Sequence, residues 1–290
     1  MTTLREKLQQ RPAGTVLIAP GVYDMLSARF ADRIGFDVLY MTGFGTVASH
    51  LGLPDAGLAS YRDMVDRVAT MAGGTTTPLV ADGDTGYGGL LNVQHTVRGY
   101  EKAGAAAIQL EDQEYPKKCG HTPGRRVVPA EDMVEKIKVA VESRSSPEFL
   151  IVARTDARTP LGLDEAIRRG ALYLDAGADI LFVESPETEA EMAAIGKAFA
   201  GKPLLANMVE GGRTPVLPPA ALARLGYAMA IYPVSGLLAA ASAIDTAYRE
   251  LKRNGTTLAI KDRLYAFDQL TRVVGFEAVW EFDRRHARKG

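Results

Sequence analysis

The 290 residues are 47% hydrophobic and 24% charged, enough to bury a large core, and length alone allows one large domain or two ordinary ones. A net charge of -1 and a pI of about 6.5 leave no sequence-wide basic field for nucleic acid or an anionic membrane. One cysteine cannot make an intrachain disulfide, the polar start (residues 1–11) lacks the apolar core of a secretory signal, and no apolar run approaches the roughly 20 residues of a bilayer span, so a cytoplasmic protein is expected.

In chain order, short β-type apolar runs alternate with helical patterns, the arrangement that yields parallel strands with crossover helices. Eight strands are predicted at residues 16–20, 37–42, 78–82, 105–111, 149–155, 180–184, 203–207 and 228–233. Asp24 is placed as the N-cap of a helix over 25–34 that Gly35 ends, and Gly104, Gly177 and Gly226 repeat the helix-glycine-strand joint. Eight β/α units predict a TIM barrel, an α/β fold, in one domain over 1–290. Residues 236–290 form a helical C-terminal extension, longer than closure needs and suited to docking on another subunit. An open doubly wound sheet would need a dinucleotide fingerprint, which neither Gly43-Phe44-Gly45 nor Gly86-Tyr87-Gly88-Gly89 supplies.

Barrel enzymes place their sites at the C-terminal strand ends, and here those ends are polar. They carry Tyr40, Thr42 and Gly43; Asp82 and Asp84; Glu111 and Asp112; Arg154, Thr155 and Asp156; Glu184 and Ser185; Asn207 and Glu210; and Tyr232, Pro233 and Ser235. For Asp156 and Ser185 a structural role, capping the following helix or pairing with a neighbouring Arg, is as well supported as a role in the site. Three carboxylates on adjacent strands would repel without a cation, so Asp82, Asp84 and Glu111 are expected to hold magnesium, partly through water. The planar fork of Arg154 suits a substrate carboxylate, and a salt bridge to Glu184 is its structural alternative. Cys119 lies among Lys117, Lys118 and His121 in a Gly- and Pro-containing loop, a setting that favours reactivity over packing. His50, His95 and His286 stand alone and read as surface or packing residues.

These residues resemble the isocitrate lyase and phosphoenolpyruvate mutase superfamily over nearly the whole chain. The likeness is carried by Met41-Thr42-Gly43 with Leu53-Pro54-Asp55, by Asp82-Gly83-Asp84-Thr85-Gly86-Tyr87-Gly88, and by Glu111-Asp112-Gln113. Lys117-Lys118-Cys119-Gly120-His121, Ala153-Arg154-Thr155-Asp156 and Asn207-Met208-Val209-Glu210-Gly211-Gly212 complete it. The resemblance implies a barrel whose last helix is exchanged between subunits in a dimer of dimers, and a magnesium-dependent reaction, with manganese as a substitute, on a small carboxylate substrate. The short chain looks like the 2-methylisocitrate and 2,3-dimethylmalate lyases; a phosphonomutase acting on carboxyphosphonoenolpyruvate and an oxaloacetate hydrolase or decarboxylase are the alternatives.

On this likeness Cys119 is the general acid of a carbon-carbon cleavage. Arg154 and Asn207 hold carboxylates, and Glu184 and His121 orient charged groups. Tyr40 lines the site or accepts the hydroxyl proton, a role a metal-bound water shares as candidate. Thr42, Gly43, Asp55, Gly120 and Glu210 complete the substrate-binding set, and residues 114–126 form a lid. Two departures stand out. Gly83 replaces the alanine usual between the two aspartates and is expected to loosen the backbone there. Lys118 replaces an arginine, and Thr122-Pro123-Gly124-Arg125 replaces Arg-Pro-Asn-Lys, which weakens the case for a third substrate carboxylate and leaves a 2-hydroxy di- or tricarboxylate, of 2-alkylmalate or 2-methylisocitrate type, as the expected substrate.

Overall fold

The computed structural model describes residues 2–120, 122 and 124–287. Its eight strands are β1 (Leu17–Val22), β2 (Leu39–Met41), β3 (Leu79–Asp82), β4 (Ala107–Glu111), β5 (Leu150–Thr155), β6 (Ile180–Val183), β7 (Leu204–Asn207) and β8 (Met229–Tyr232). All pair in parallel in sequence order, and β1 closes on β8. The (β/α)8 barrel expected from the sequence is therefore the fold.

Period-two side-chain alternation divides the two faces of one sheet among three buried clusters, the third holding Leu181, Val183, Leu204, Ala206 and Ala230. Leu17 and Ala19, Tyr40, Val80, Leu150 and Val152, Ile180 and Phe182, and Met229 and Ile231 belong to one cluster, which Leu4 and Leu8 of the helix Leu4–Gln10 also join. The intervening residues, such as Met41, Ala81, Ile108, Leu110 and Ile151, pack in a second cluster with Met64, Val68, Val93, Val97 and Ile137 of the surrounding helices. Both faces of every strand are thus buried, which explains runs as apolar as residues 149–153.

The expected punctuation is present. Asp24 accepts a 2.7 Å hydrogen bond from Ser27 N and starts the helix Met25–Ile34; Gly35 ends it at φ 89°. Gly104, Gly177 and Gly226 occupy the left-handed region at φ 95°, 104° and 92°, a conformation glycine takes without a side-chain penalty. After β2 the chain enters a helix at once (Gly43–Leu51), with Thr42 as its N-cap. Its Gly-Phe-Gly opening concealed that helix from a propensity reading.

The chain divides into two compact units, residues 1–236 and 237–290. The second holds most of the helix Ser235–Asn254, a 3₁₀ segment Leu258–Arg263, and the helices Phe267–Val273 and Phe276–His286. Among its described residues Tyr248, Phe267, Trp280 and Phe282 are exposed. No helix among the described residues is long and apolar enough to cross a membrane.

Candidate active site

The C-terminal ends of β2 to β6 bring a dense set of charged side chains together. Asp82, at the end of β3, accepts hydrogen bonds from Gly43 N (3.2 Å) on one oxygen and from Asp84 N (3.2 Å) and Gln109 Nε2 (3.3 Å) on the other. A Cβ at position 43 would lie 2.5 Å from Asp82 Oδ2, so the glycine is what lets this backbone reach the carboxylate. Asp84 sits at φ 48°, unusual for a side chain other than glycine or asparagine, and strain of this kind gathers at functional sites.

Gly83 does not loosen the backbone. A Cβ there would stand 2.7 Å from Ile108 Cγ1 and 2.9 Å from Gln109 O, so the residue makes room for the isoleucine on β4.

Lys117 is almost completely buried and fastens the lid to the barrel: its Nζ lies 2.7 Å from Asp84 Oδ1 and also bonds Asp55. Burial disfavours its charge, but Asp84, Asp55, Glu111 and Asp82 together push its pKa well up, so it is an ammonium. Asp55 therefore anchors the lid, through Lys117 and through its carbonyl, which accepts from Cys119 N at 3.1 Å. Asp84 itself is pushed up to about 7 by burial, against the pull of Lys117 and with the push of Asp82 and Asp55. Burial likewise raises Glu111, although Arg154 Nε stands 3.4 Å from its Oε2; its Oε1 is buried with no hydrogen-bond partner among the described residues.

Arg154 is gripped by Asp156 in a two-pronged pair (Nε–Oδ2 2.8 Å, Nη2–Oδ1 2.9 Å), lies 3.3 Å from Glu184 Oε2, and stacks 5.1 Å from the centre of the Phe182 ring. The salt bridge to Glu184 thus exists, and Asp156, with its pairing role, is the principal partner. Glu184 accepts from Asn207 Nδ2 (3.1 Å) and Ser185 Oγ (2.9 Å). Asp112, fully buried, accepts from Thr155 Oγ1, Asp156 N, Arg169 Nη1 and Tyr173 OH at 2.7–3.0 Å and so fixes the end of β5.

The lid closes over this group. Gly120 is buried, its carbonyl accepts from Ser185 Oγ at 3.0 Å, and a Cβ there would lie 2.8 Å from both Cδ and Oε2 of Glu184. Cys119, half-buried, is thereby held one residue from Arg154 and Glu184.

Several sequence expectations change. Tyr40 donates to Gln109 Oε1 (3.1 Å), and burial followed by Asp82 pushes its phenol well up, so it is a neutral donor beneath the site and not a proton acceptor. Thr42 caps the helix Gly43–Leu51 by accepting from Gly45 N, which leaves its hydroxyl proton available to donate. Glu210 is not drawn into the group: it is exposed and accepts from Ser235. His121 lies outside the described residues. Among the described residues no three His, Cys, Asp or Glu side chains form a ready-made metal cluster, so Asp82, Asp84 and Glu111 surround one mouth without converging on one point.

Lys117, Gln109 and Arg125 are polar groups at the mouth to which sequence reasoning assigned no role in the site. The first lies in the motif of Cys119, but nothing local separates buried Lys117 from exposed Lys118.

A family model for phosphoenolpyruvate phosphomutase matches residues 4–252. The chain is 48% identical to a 2,3-dimethylmalate lyase of Eubacterium barkeri over 94% of each chain. It is 39% identical to a 2-methylisocitrate lyase of Aeropyrum pernix over 99% of this chain and 91% of that one. An oxaloacetate acetylhydrolase in complex with 3,3-difluorooxalacetate superimposes with TM-score 0.91 at 36% identity, covering 98% of this chain and 96% of the other. A phosphonopyruvate hydrolase in complex with oxalate and Mg2+ gives 0.87 at 29% identity, covering 98% of each. With the matched barrel, the buried strand-end carboxylates and the Cys119 lid, the chain belongs to the isocitrate lyase and phosphoenolpyruvate mutase superfamily.

Proposed function

We propose that this protein is a carbon-carbon lyase that cleaves a 2-hydroxy dicarboxylate of the 2-alkylmalate type into a 2-oxo acid and a simple carboxylate. One observation carries the reading: the lid presents Cys119 at the barrel mouth, held there by Lys117 on Asp84 and by Gly120 against Arg154 and Glu184. In 2,3-dimethylmalate the C2 hydroxyl gives up its proton to water, the C2–C3 pair moves onto C3, and C2 becomes the carbonyl of pyruvate. C3, conjugated with its carboxylate, takes the Cys119 Sγ proton and leaves as propionate; the thiolate is reprotonated from solvent. Asn207, Glu184 and Arg154 form the wall that orients the carboxylates, and lid closure keeps water from the carbanion.

The residues fit a divalent cation. Seven acids (Asp55, Asp82, Asp84, Glu111, Asp112, Asp156 and Glu184) and four bases (Lys117, Arg125, Arg154 and Arg169) are buried among the described residues, a deficit of three positive charges with all ionised. Glu111 Oε1 lacks a hydrogen-bond partner among them. Magnesium is commonly held by one or two carboxylates plus water, so a preassembled cage is not required, and Asp82, Asp84 and Glu111 would hold it. When bound, such an ion supplies Lewis acidity to the 2-hydroxyl and 1-carboxylate.

The test is a product screen by mass spectrometry over 2-alkylmalates, 2-methylisocitrate, oxaloacetate and a phosphonate with magnesium. Release of pyruvate from 2,3-dimethylmalate, with Cys119→Ser slower by about 100- to 10,000-fold, is expected; acetate and oxalate from oxaloacetate, or a rearranged phosphonate, as the main product overturns the lyase reading. The reading extends to a homo-oligomer, supported by the exposed aromatic side chains of residues 237–290 and checked by light scattering.

A further inference from the structure

The lid is tied down at a second point that the proposed chemistry does not use. Arg125 reaches into the barrel mouth from the lid's far end and is 5% exposed. Its Nη1 donates to Asp156 Oδ1 at 2.7 Å and its Nη2 to Thr159 Oγ1 at 2.6 Å. The same Asp156 Oδ1 accepts from Arg154 Nη2 at 2.9 Å, so one carboxylate oxygen serves a guanidinium of the lid and a guanidinium of the site. Asp156 cannot follow either partner, because Asp112 holds its backbone N–H at 2.8 Å and the neighbouring Thr155 hydroxyl at 2.8 Å. Ser185, at φ 58°, aims its hydroxyl at Gly120 O, so Gly120 is fastened to the tip of β6 as Arg125 is to the tip of β5.

We propose that Arg125 and Asp156 are positioning residues that make the grip of Arg154 on a substrate carboxylate depend on lid closure. With the lid away, Arg154 and Asp156 are a neutral pair. With Arg125 docked, the carboxylate is shared by two cations, so one positive charge is added beside Arg154, which also faces Glu111 and Glu184. The added charge sits in a buried, weakly screened setting, where a single charge counts most. The coupling is reciprocal: an anion held by Arg154 favours the closed lid as much as the closed lid favours the anion. Burial opposes ionisation of Asp156, yet Arg154 and then Arg125 hold its carboxyl below the usual range, in keeping with a carboxylate shared by both. The inference rests on the lid reading above, and its test needs no turnover.

Cys119 is the only cysteine, so its alkylation by iodoacetamide, followed by intact mass, reports lid opening. Labelling is measured with magnesium present and oxalate titrated, for wild type, Arg125→Gln, Arg125→Lys and Thr159→Val. Oxalate is expected to slow labelling of the wild type. In Arg125→Gln the half-protecting concentration rises about tenfold, the scale of one hydrogen bond to a charged group. Arg125→Lys and Thr159→Val label faster without oxalate, having lost the Thr159 contact, yet keep a half-protecting concentration near that of the wild type because the charge remains. A lysine or valine variant that shifts as far as Arg125→Gln, a glutamine variant that does not shift, or a wild type that oxalate fails to protect would each overturn the coupling. Turnover of 2,3-dimethylmalate is followed in parallel: its absence with the protection pattern intact refutes the lyase reading and leaves the coupling standing.

Discussion

Gly120→Ala isolates what close approach of the lid contributes. Gly120 is not among the glycines with positive φ, so alanine is allowed by the backbone and the whole effect comes from the added methyl. That methyl would stand 2.8 Å from Glu184 Cδ and Oε2 and closer still to Arg154 Nη2, none of which can turn aside, since both side chains are held by Asp156, Asn207 and Ser185. Restoring ordinary contact, near 3.5 Å, requires the lid backbone to retreat by roughly 1 Å. Cys119 is the adjacent residue and moves with it. A misplacement of that size costs on the order of 100-fold in kcat, whereas overpacking this buried position should lower the unfolding free energy by about 1–3 kcal/mol, short of unfolding a domain of ordinary stability. The assay is pyruvate release from 2,3-dimethylmalate, with thermal unfolding and Cys119 alkylation on the same samples. A Gly120→Ala enzyme with wild-type kcat, or one that loses activity only by unfolding, would refute the claim that the lid works by contact with Arg154 and Glu184.

Lys117→Met strands Asp55 and Asp84 in the interior without their cation and should cost about 3–5 kcal/mol, read as a lower urea midpoint; an unchanged midpoint contradicts the buried ammonium. Chelation should abolish turnover, and magnesium restored at 100 times its dissociation constant should stabilise the protein by about 2.7 kcal/mol, visible in the melting temperature. Far from the site, burial raises Asp32, but bonds from Thr77 and Thr76 outweigh it and hold its carboxyl below the usual range. Its contribution is then complete above the unfolded value of about 3.9 and lost as pH falls through the lower folded value. The stability gap between wild type and Asp32→Asn should be flat above about pH 5 and narrow below pH 4; a gap that widens on acidification contradicts this.

The barrel was legible because its signals are local. Each strand is a run of apolar residues bounded by Gly, Pro or a charge, and β6 and β7 begin at or within one residue of their predicted starts, with ends at Val183 and Asn207. Asp24 and Gly35 mark helix ends by chemistry that needs only their neighbours. The site was legible as a set of residue types, because strand ends in a barrel must converge. Its pairing was not. Whether Lys117 or Lys118 turns inward, or Asp156 takes Arg154 from Glu184, depends on distances across the mouth between residues far apart in sequence. Gly83 shows the same limit: alone it reads as flexibility, and only Ile108 of β4 reveals that it provides space. Glu210, three residues past the end of β7, carries a motif likeness but faces solvent in the loop that follows the strand.

A mouth built for stability alone would not look like this. Apolar side chains of similar volume commonly replace buried ion pairs at no loss, and an excess of buried acid over base is unfavourable whichever way it is accommodated, by protonation or by repulsion. Here Asp84 and Glu111 are both driven toward the protonated form by burial, and the backbone is strained at Asp84 and Ser185. These costs fall on the residues that face the lid, and they are relieved by what the reaction brings: a cation among the carboxylates and an anion beside Arg154. The fold around them supplies the surplus, through three buried hydrophobic clusters and the Asp112 hub, that lets the mouth remain unsatisfied until it is filled. The arrangement of charge, more than any single residue, therefore marks this end of the barrel as a binding site, and it explains why Lys117 had to arrive on a movable loop. A fixed cation would have neutralised the carboxylates permanently, whereas one carried by the lid ties their neutralisation to the closing that places Cys119.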